Sequence, residues 1–289
     1  MEKVLLSQYE FFKANETKQI SFRVDQLQKL KQALKESEEL LFKAIYIDFK
    51  KSPHETYTSE LALVYHDINE AVKKIKRWSK PKRVRTDLLN FPARSYIVPE
   101  PLGNVLIIGA WNLPYLTSLA PLVAAIAGGN TVVIKPSEIA KNTSATIQKV
   151  LSTTFKDNYI HVVEGGIPET TELLNHKFDK IFFTGSTSVG KIVYQAASKK
   201  LTPVTLELGG KSPVFITKSC NLKRTVQRLI WAKFLNAGQA CTAPDFFLVD
   251  KVIKQQFLQL AKQEIIKANY SVENDNYVQI IDRKNYERL

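Results

Sequence analysis

Apolar residues recur every three to four positions through the first stretch of the chain. That spacing predicts helices over Val4 to Lys13, Val24 to Phe49 and about Glu55 to Ser79. Arg83 to Phe91 is polar and basic and reads as a connector. Ser95 to Val98, closed by Pro99 and Pro101, reads as a strand near a sheet edge, since proline cannot donate to a ladder. Beyond Gly103 the texture changes. Asn104-Val-Leu-Ile-Ile-Gly109 is a continuous apolar run of the kind buried on both faces of a parallel sheet. Pro114 suits a first helical turn, and Gly128-Gly129 ends the helix that follows. Strands at 131–134, 159–163 and 180–183 then alternate with helices at 143–155, 169–175 and 189–199. The α/β alternation with short connections predicts an open, doubly wound parallel sheet over residues 1–206, with the N-terminal helices attached. A second α/β unit, 207–289, begins near Leu206 to Gly210. It contributes strand 214–217, helix 222–235, strand 246–249 and helix 252–268, and then ends abruptly.

Composition narrows the class without naming a chemistry. Hydrophobic content of 44% and charged content of 24% are those of a soluble globular chain. No stretch approaches the roughly 20 apolar residues of a membrane helix, and the first residues lack a signal-peptide pattern. With only Cys220 and Cys241, a disulfide framework is excluded and a reducing cytoplasm is expected. The net charge of +13 is densest between Lys73 and Arg85, around Trp78. A basic run at a helix end is ordinarily a solvated face, so no nucleic-acid partner is expected. The four histidines have no ligand spacing, and no metal is expected.

Open α/β sheets bind ligands at the carboxyl ends of their strands. Asn112, Lys135 and Gly185 all fall just past predicted strand ends. Gly185 and Gly190 flank Ser186-Thr-Ser-Val189 between a strand and a helix, where small residues let backbone approach a pyrophosphate. Alone this is a weak signal, because it is not the G-x-G-x-x-G pattern. Asn112, before Leu-Pro, reads on local sequence as a turn residue. Cys241 lies in Asn236-Ala-Gly-Gln-Ala-Cys241-Thr, after the helix that ends at Leu235. Glu207 stands at the end of a strand-like run, before Leu208 and two glycines. A thiol plus a carboxylate at a strand end is the minimum equipment for covalent catalysis followed by hydrolysis.

The ordered segments Ala110-Trp-Asn112-Leu-Pro-Tyr115, Val133-Ile-Lys135-Pro-Ser-Glu138, Phe183-Thr-Gly185-Ser-Thr-Ser-Val-Gly190, Glu207-Leu-Gly-Gly-Lys-Ser-Pro213 and Ala237-Gly-Gln-Ala-Cys-Thr-Ala-Pro-Asp-Phe246 resemble the aldehyde dehydrogenase superfamily, most of all its class 3 branch. The resemblance implies NAD(P)-dependent oxidation of an aldehyde to a carboxylic acid. Cys241 would be the nucleophile, passing through a thiohemiacetal and a thioester, and Cys220 a structural thiol. Asn112 with the Cys241 backbone N–H would form an oxyanion hole. Glu207, its pKa raised by partial burial, would be the base for deacylation. Lys135 and Glu138 would bind the adenosine ribose. Gly185, Ser186, Gly190 and Leu208 would complete the cofactor site. NAD is expected first, because Glu138 repels a 2′-phosphate, with NADP possible. Tyr115, with Tyr65 beside it, would line an apolar entrance for aliphatic or aromatic aldehydes. Full-length relatives of this kind are homodimers. They continue past the equivalent of Leu289 with the rest of the catalytic domain, including a glutamate that grips the nicotinamide ribose. The alternative expectation is therefore a truncated, inactive fragment that retains at most dinucleotide or partner binding.

Overall fold

The computed structural model describes residues 1–289. Helix α1 (Glu2–Lys13) leads into α2 (Ile20–Glu36) and α3 (Glu38–Phe49). Sequence periodicity joined these last two into one helix, but the chain turns at Ser37. A straight helix over that span would run about 39 Å at 1.5 Å per residue. The turn lets α2 and α3 pack instead against the later helices of the same layer, burying Leu27, Leu30 and Leu34 from one and Leu41, Ile45 and Phe49 from the other. Next come the short α4 (Pro53–Thr56), a π-helical turn (Tyr57–Leu61) and α5 (Ala62–Trp78).

The basic connector is partly a strand. β1 (Lys82–Val84) pairs antiparallel with β2 (Ser95–Ile97), Arg83 opposite Tyr96. All of β1 is exposed, so no hydrophobic alternation advertised it. Lysine and arginine on such an edge disfavour further strand pairing.

The central sheet is parallel, in the order β5-β4-β3-β6-β7. Its strands are β3 (Asn104–Ile108), β4 (Thr131–Lys135), β5 (Ile160–Val162), β6 (Lys180–Gly185) and β7 (Val204–Leu208). Side-chain alternation divides β3 between two cores. Val105 and Ile107 face α6 (Pro114–Ala127) and α7 (Lys141–Thr154), together with the N-terminal helices. Leu106 and Ile108 face α8 (Ile167–Asn175) and α9 (Thr187–Ser198). The fold is thus the expected doubly wound α/β sheet. Strand order reverses between β3 and β6, and the crevice above that point is where such sheets take ligands.

The second unit holds β8 (Val214–Ile216), α10 (Leu222–Phe234), β9 (Phe247–Val249), α11 (Lys254–Ala268) and α12 (Arg283–Arg288). β8 and β9 form a parallel pair over a small core of Ile216, Val226, Ile230 and Phe257. Contacts cross the expected division at 206/207. It cuts β7, whose Glu207 and Leu208 pair with Thr184 and Gly185 of the first sheet. Late in the chain Val278 returns to the large core, and the Gln279 N–H donates to the Phe49 carbonyl at 2.7 Å.

Candidate active site

Two loops meet at the carboxyl end of the central sheet. The first leaves β3 and carries Asn112 into α6. Its base is fixed by Thr117, whose Oγ1 accepts from the Ala110 N–H at 3.0 Å and donates to the Ala110 carbonyl at 3.1 Å. The second leaves α10 and carries Cys241, which is exposed. Between them the chain makes a tight left-handed turn, with φ of 51° at Asn236, 52° at Ala237 and 73° at Gly238. Gly238 takes that conformation freely. Ala237 carries a Cβ in it, and such strain concentrates at functional sites.

The loops are tied directly. The Asn112 Nδ2 donates to the Gln239 carbonyl at 3.0 Å, two residues before the thiol. In return the Asn236 Nδ2 donates to the Asn112 carbonyl at 2.9 Å. An amide nitrogen has two donors, so Asn112 keeps a second N–H for another acceptor. Gln239 is a further anchor that sequence reasoning left without a role. Its Nε2 donates to the Gln279 carbonyl at 3.0 Å, and its Oε1 accepts from the Ile281 N–H at 3.1 Å. The only sequence signal was its place beside the thiol, since its partners lie some forty residues later.

Glu207 and Leu208 lie at the end of β7. Glu207 is exposed rather than half-buried, which corrects the expectation of partial burial. The cause is strand alternation: Leu206 and Leu208 turn toward the core beneath α9, so Glu207 points to the uncovered face of an edge strand. The loop that follows passes against the nucleophile's own backbone. The Ser212 Oγ donates to the Cys241 carbonyl at 3.4 Å, and a Cβ on Gly210 would lie 3.5 Å from that oxygen. The thiol and amide are therefore carried by two loops that touch, and the strand that carries the carboxylate runs into a third loop that touches the Cys241 backbone. Cys220 stands apart, half-buried against the small second core.

Lys135 ends β4 and is only 2% exposed. Its ammonium donates to the Pro136 carbonyl at 2.9 Å and to the Glu138 carboxylate at 2.8 Å, leaving one donor of three. Glu138 is 45% exposed, so its carboxylate can still accept from hydroxyl groups. Glu169 was not anticipated here, although Gly166 three residues before it matches a capping arrangement. Its carboxylate accepts the Gly166 N–H at 2.7 Å. Hydrogen bonds from its own backbone and from Gly166, then the nearby Lys135, hold its pKa below the ordinary glutamate value. These groups fit the diol of a ribose, and the Glu138 carboxylate on the Lys135 ammonium suits it better than a phosphate.

Ser186 caps α9, its Oγ accepting from the Val189 N–H at 3.3 Å. The start of that helix follows directly on the carboxyl end of β6, and a helix N-terminus so placed is suited to receive an anion. The glycines serve packing more than backbone approach. A Cβ on Gly190 would meet the Leu208 Cδ2 at 2.8 Å, and one on Gly185 would meet the Phe183 ring at 2.6 Å. Leu208 accordingly packs under α9.

The expected entrance tyrosines are elsewhere. Tyr115 is 0% exposed in the large core and donates its hydroxyl to the Leu41 carbonyl at 2.7 Å. Burial drives its pKa upward. Tyr65 is also buried and donates to Glu38 at 2.7 Å. Helix α6 turns Tyr115 inward, one position past the proline that starts it, so it cannot line an entrance.

The aldehyde dehydrogenase family model matches residues 3–289. A 4,4'-diaponeurosporen-aldehyde dehydrogenase of Staphylococcus aureus is 45% identical over 96% of this chain and 61% of its own length. A dog protein named aldehyde dehydrogenase, dimeric NADP-preferring, is 40% identical over 96% of this chain and 62% of its own. A solved structure of the substrate-bound state of Staphylococcus aureus AldH superposes with a TM-score of 0.96 at 43% identity. It covers 99% of this chain and 63% of that one. The chain therefore spans about three fifths of the length of the relatives it matches. With the family model matched along nearly its whole length, the chain belongs to the aldehyde dehydrogenase family.

Proposed function

We propose that this chain carries the nucleophile and cofactor-binding half of an NAD(P)-dependent dehydrogenase that oxidises an aldehyde to a carboxylic acid. The observation that carries the reading is the bond from the Asn112 amide to the Gln239 carbonyl, which holds an oxyanion donor beside the Cys241 loop. The Cys241 thiolate adds to the aldehyde carbon. A C–S bond forms, and the carbonyl electron pair moves to oxygen. The Asn112 side-chain N–H and the Cys241 backbone N–H receive that charge, a contribution of about 3 to 4 kcal/mol. A bound dinucleotide supplies the acceptor for the hydride that leaves this carbon, and the product is a thioester on Cys241. Glu207, open to solvent on the uncovered face of β7, takes a proton from water. The hydroxide adds to the thioester, the C–S bond breaks, and the acid departs.

Lys135 and Glu138 hold the adenosine ribose, and Ser186 with the start of α9 holds the pyrophosphate. The Glu138 carboxylate paired with the Lys135 ammonium makes NAD the first cofactor. NADP stays within reach through the remaining Lys135 donor, and the dog relative's name includes it. The substrate is an aldehyde, and the Staphylococcus aureus relative's name specifies a 4,4'-diaponeurosporen-aldehyde. Having only Cys220 and Cys241 supports a cytoplasmic setting, and the word dimeric in the dog relative's name supports a homodimer for the full-length protein.

A second reading, dinucleotide or partner binding without turnover, is favoured by one observation. The β8–β9 face leaves Phe215 72% exposed, with Leu248 and Leu258 beside it. NADH formation from a medium-chain aldehyde, measured beside NAD affinity, separates the two. Under the first reading Cys241→Ala abolishes turnover with NAD affinity unchanged, and Cys220→Ala alters neither. Unaltered turnover in Cys241→Ala removes the proposed nucleophile. NAD binding without turnover in the parent chain selects the second reading.

A further inference from the structure

We infer that the segment Pro53–Leu61, in which α4 runs into the π-helical turn Tyr57–Leu61, registers the two halves of the oxyanion hole. Glu60 is the positioning residue for the Asn112 loop, and Glu55 for the Cys241 loop. The inference rests on the oxyanion reading above.

Glu60 is fully buried, an unusual place for a carboxylate among leucines and isoleucines. One oxygen accepts the Tyr115 N–H at 2.8 Å and the Leu116 N–H at 3.2 Å. The other takes the Lys51 ammonium at 2.7 Å. Tyr115 and Leu116 follow Pro114 in the first turn of α6, where N–H groups have no partner within the helix. Leu113, at the cap position, makes no side-chain cap. Glu60 supplies that cap from a distant helix, and it fixes where α6 begins. Asn112 lies just before that start, so its backbone is fixed with it.

Glu55 does the corresponding work on the other loop. Its Oε1 accepts the Asn236 N–H at 2.8 Å. Asn236 opens the left-handed turn that leads to Cys241 and donates in turn to the Asn112 and Gln239 carbonyls. Both catalytic loops therefore hang from carboxylates five residues apart on one short segment.

That spacing explains the π turn. In an α-helix, positions five apart point about 140° away from each other at 3.6 residues per turn. A turn closed by i→i+5 bonding takes up the extra residue and returns both positions to one side. Such turns interrupt α-helices most often at functional sites. Neither carboxylate reaches the reacting atoms; each acts through the loop it holds. The effect is sizeable, because misplacement by about 1 Å in a catalytic array can cost 10²-fold in rate.

The test needs a reaction at Cys241 that uses the oxyanion hole but no cofactor. p-Nitrophenyl acetate provides it: the C–S bond forms through a tetrahedral oxyanion, the ester C–O bond breaks, and nitrophenolate leaves. Iodoacetamide alkylates the same thiol at a tetrahedral carbon, iodide leaves, and no oxyanion develops. The ratio of the two rates, measured on the full chain in a Cys220→Ser background, isolates oxyanion stabilisation from thiol exposure and reactivity. Asn112→Ala and Glu55→Ala are each expected to lower that ratio by about 10-fold to 10²-fold. Glu55→Gln keeps an acceptor for the Asn236 N–H and is expected to hold the parent ratio. A ratio that falls in Asn112→Ala but not in Glu55→Ala overturns the positioning role and leaves the oxyanion hole standing. Equal loss of both rates in Glu55→Ala marks a merely structural residue and also overturns it. A ratio unchanged by Asn112→Ala overturns the oxyanion reading and this inference together.

Discussion

Removing the Lys51 ammonium provides a strong test of how the large core is held. Lys51 and Glu60 are both 0% exposed and 2.7 Å apart. Lys51→Met fits the same stem with an apolar end and leaves the Glu60 carboxylate without its counter-ion. Breaking a buried pair from one side typically costs about 3 to 5 kcal/mol, because the remaining charge is uncompensated. Here the carboxylate retains the Tyr115 and Leu116 N–H groups at the positive end of α6, which offset part of that cost. The expected loss is therefore near the lower bound, about 3 kcal/mol. Adding Glu60→Gln removes the charge while an amide oxygen still accepts from Tyr115. The double variant should regain all but about 1 kcal/mol. The assay is urea unfolding followed by fluorescence of Trp111, which packs against the large core. Trp78 and Trp231, 44% and 62% exposed, are replaced by phenylalanine in the background. A loss under about 1 kcal/mol in Lys51→Met, or a double variant no more stable than the single, refutes the reasoning.

Glu207→Gln should lower steady-state turnover by about 10² or more while leaving acylation intact, since the base serves the water step. Rapid-quench kinetics should show one burst of NADH and then slow release; absence of the burst with NAD still bound moves Glu207 to an earlier step. Glu169 has a folded pKa below its ordinary 4.5, so its contribution to stability is complete above that value. The contribution is lost as pH falls through the depressed folded value. Thermal midpoints of Glu169→Gln should therefore lie below the parent's at neutral pH and converge with them in acid, below the depressed folded value. A gap that persists unchanged in acid contradicts the assignment.

Most of the sheet is legible in the sequence because a strand buried on both faces must be apolar throughout. That is why 104–108 and 131–134 stand out. The meeting of Asn112 and Cys241 was legible only through the order of their motifs; no local feature of either loop points to the other. β1 was hidden because its side chains are all exposed, so burial imposed no pattern. Tyr115 was misplaced for a related reason. An aromatic after Leu-Pro suits an entrance or a core equally, and its partner, the Leu41 carbonyl, lies 74 residues away in sequence. Glu55 and Glu60 carried no functional reading in the sequence, since a π turn has no sequence signature and both act on loops far along the chain. Gly190 was legible as a glycine that matters but not for the right contact, which depends on how α9 settles on Leu208.

The central claim is that Cys241 forms the covalent bond to substrate. The most direct measurement is to mix the chain with a medium-chain aldehyde and NAD, quench in acid within the first turnover, and map the adduct by peptide mass spectrometry. Glu207→Gln, which should let the thioester accumulate, is the preferred background. The account predicts an acyl group on Cys241 and none on Cys220. An acyl group on Cys220 alone, or NADH formed with no adduct on Cys241, would contradict it.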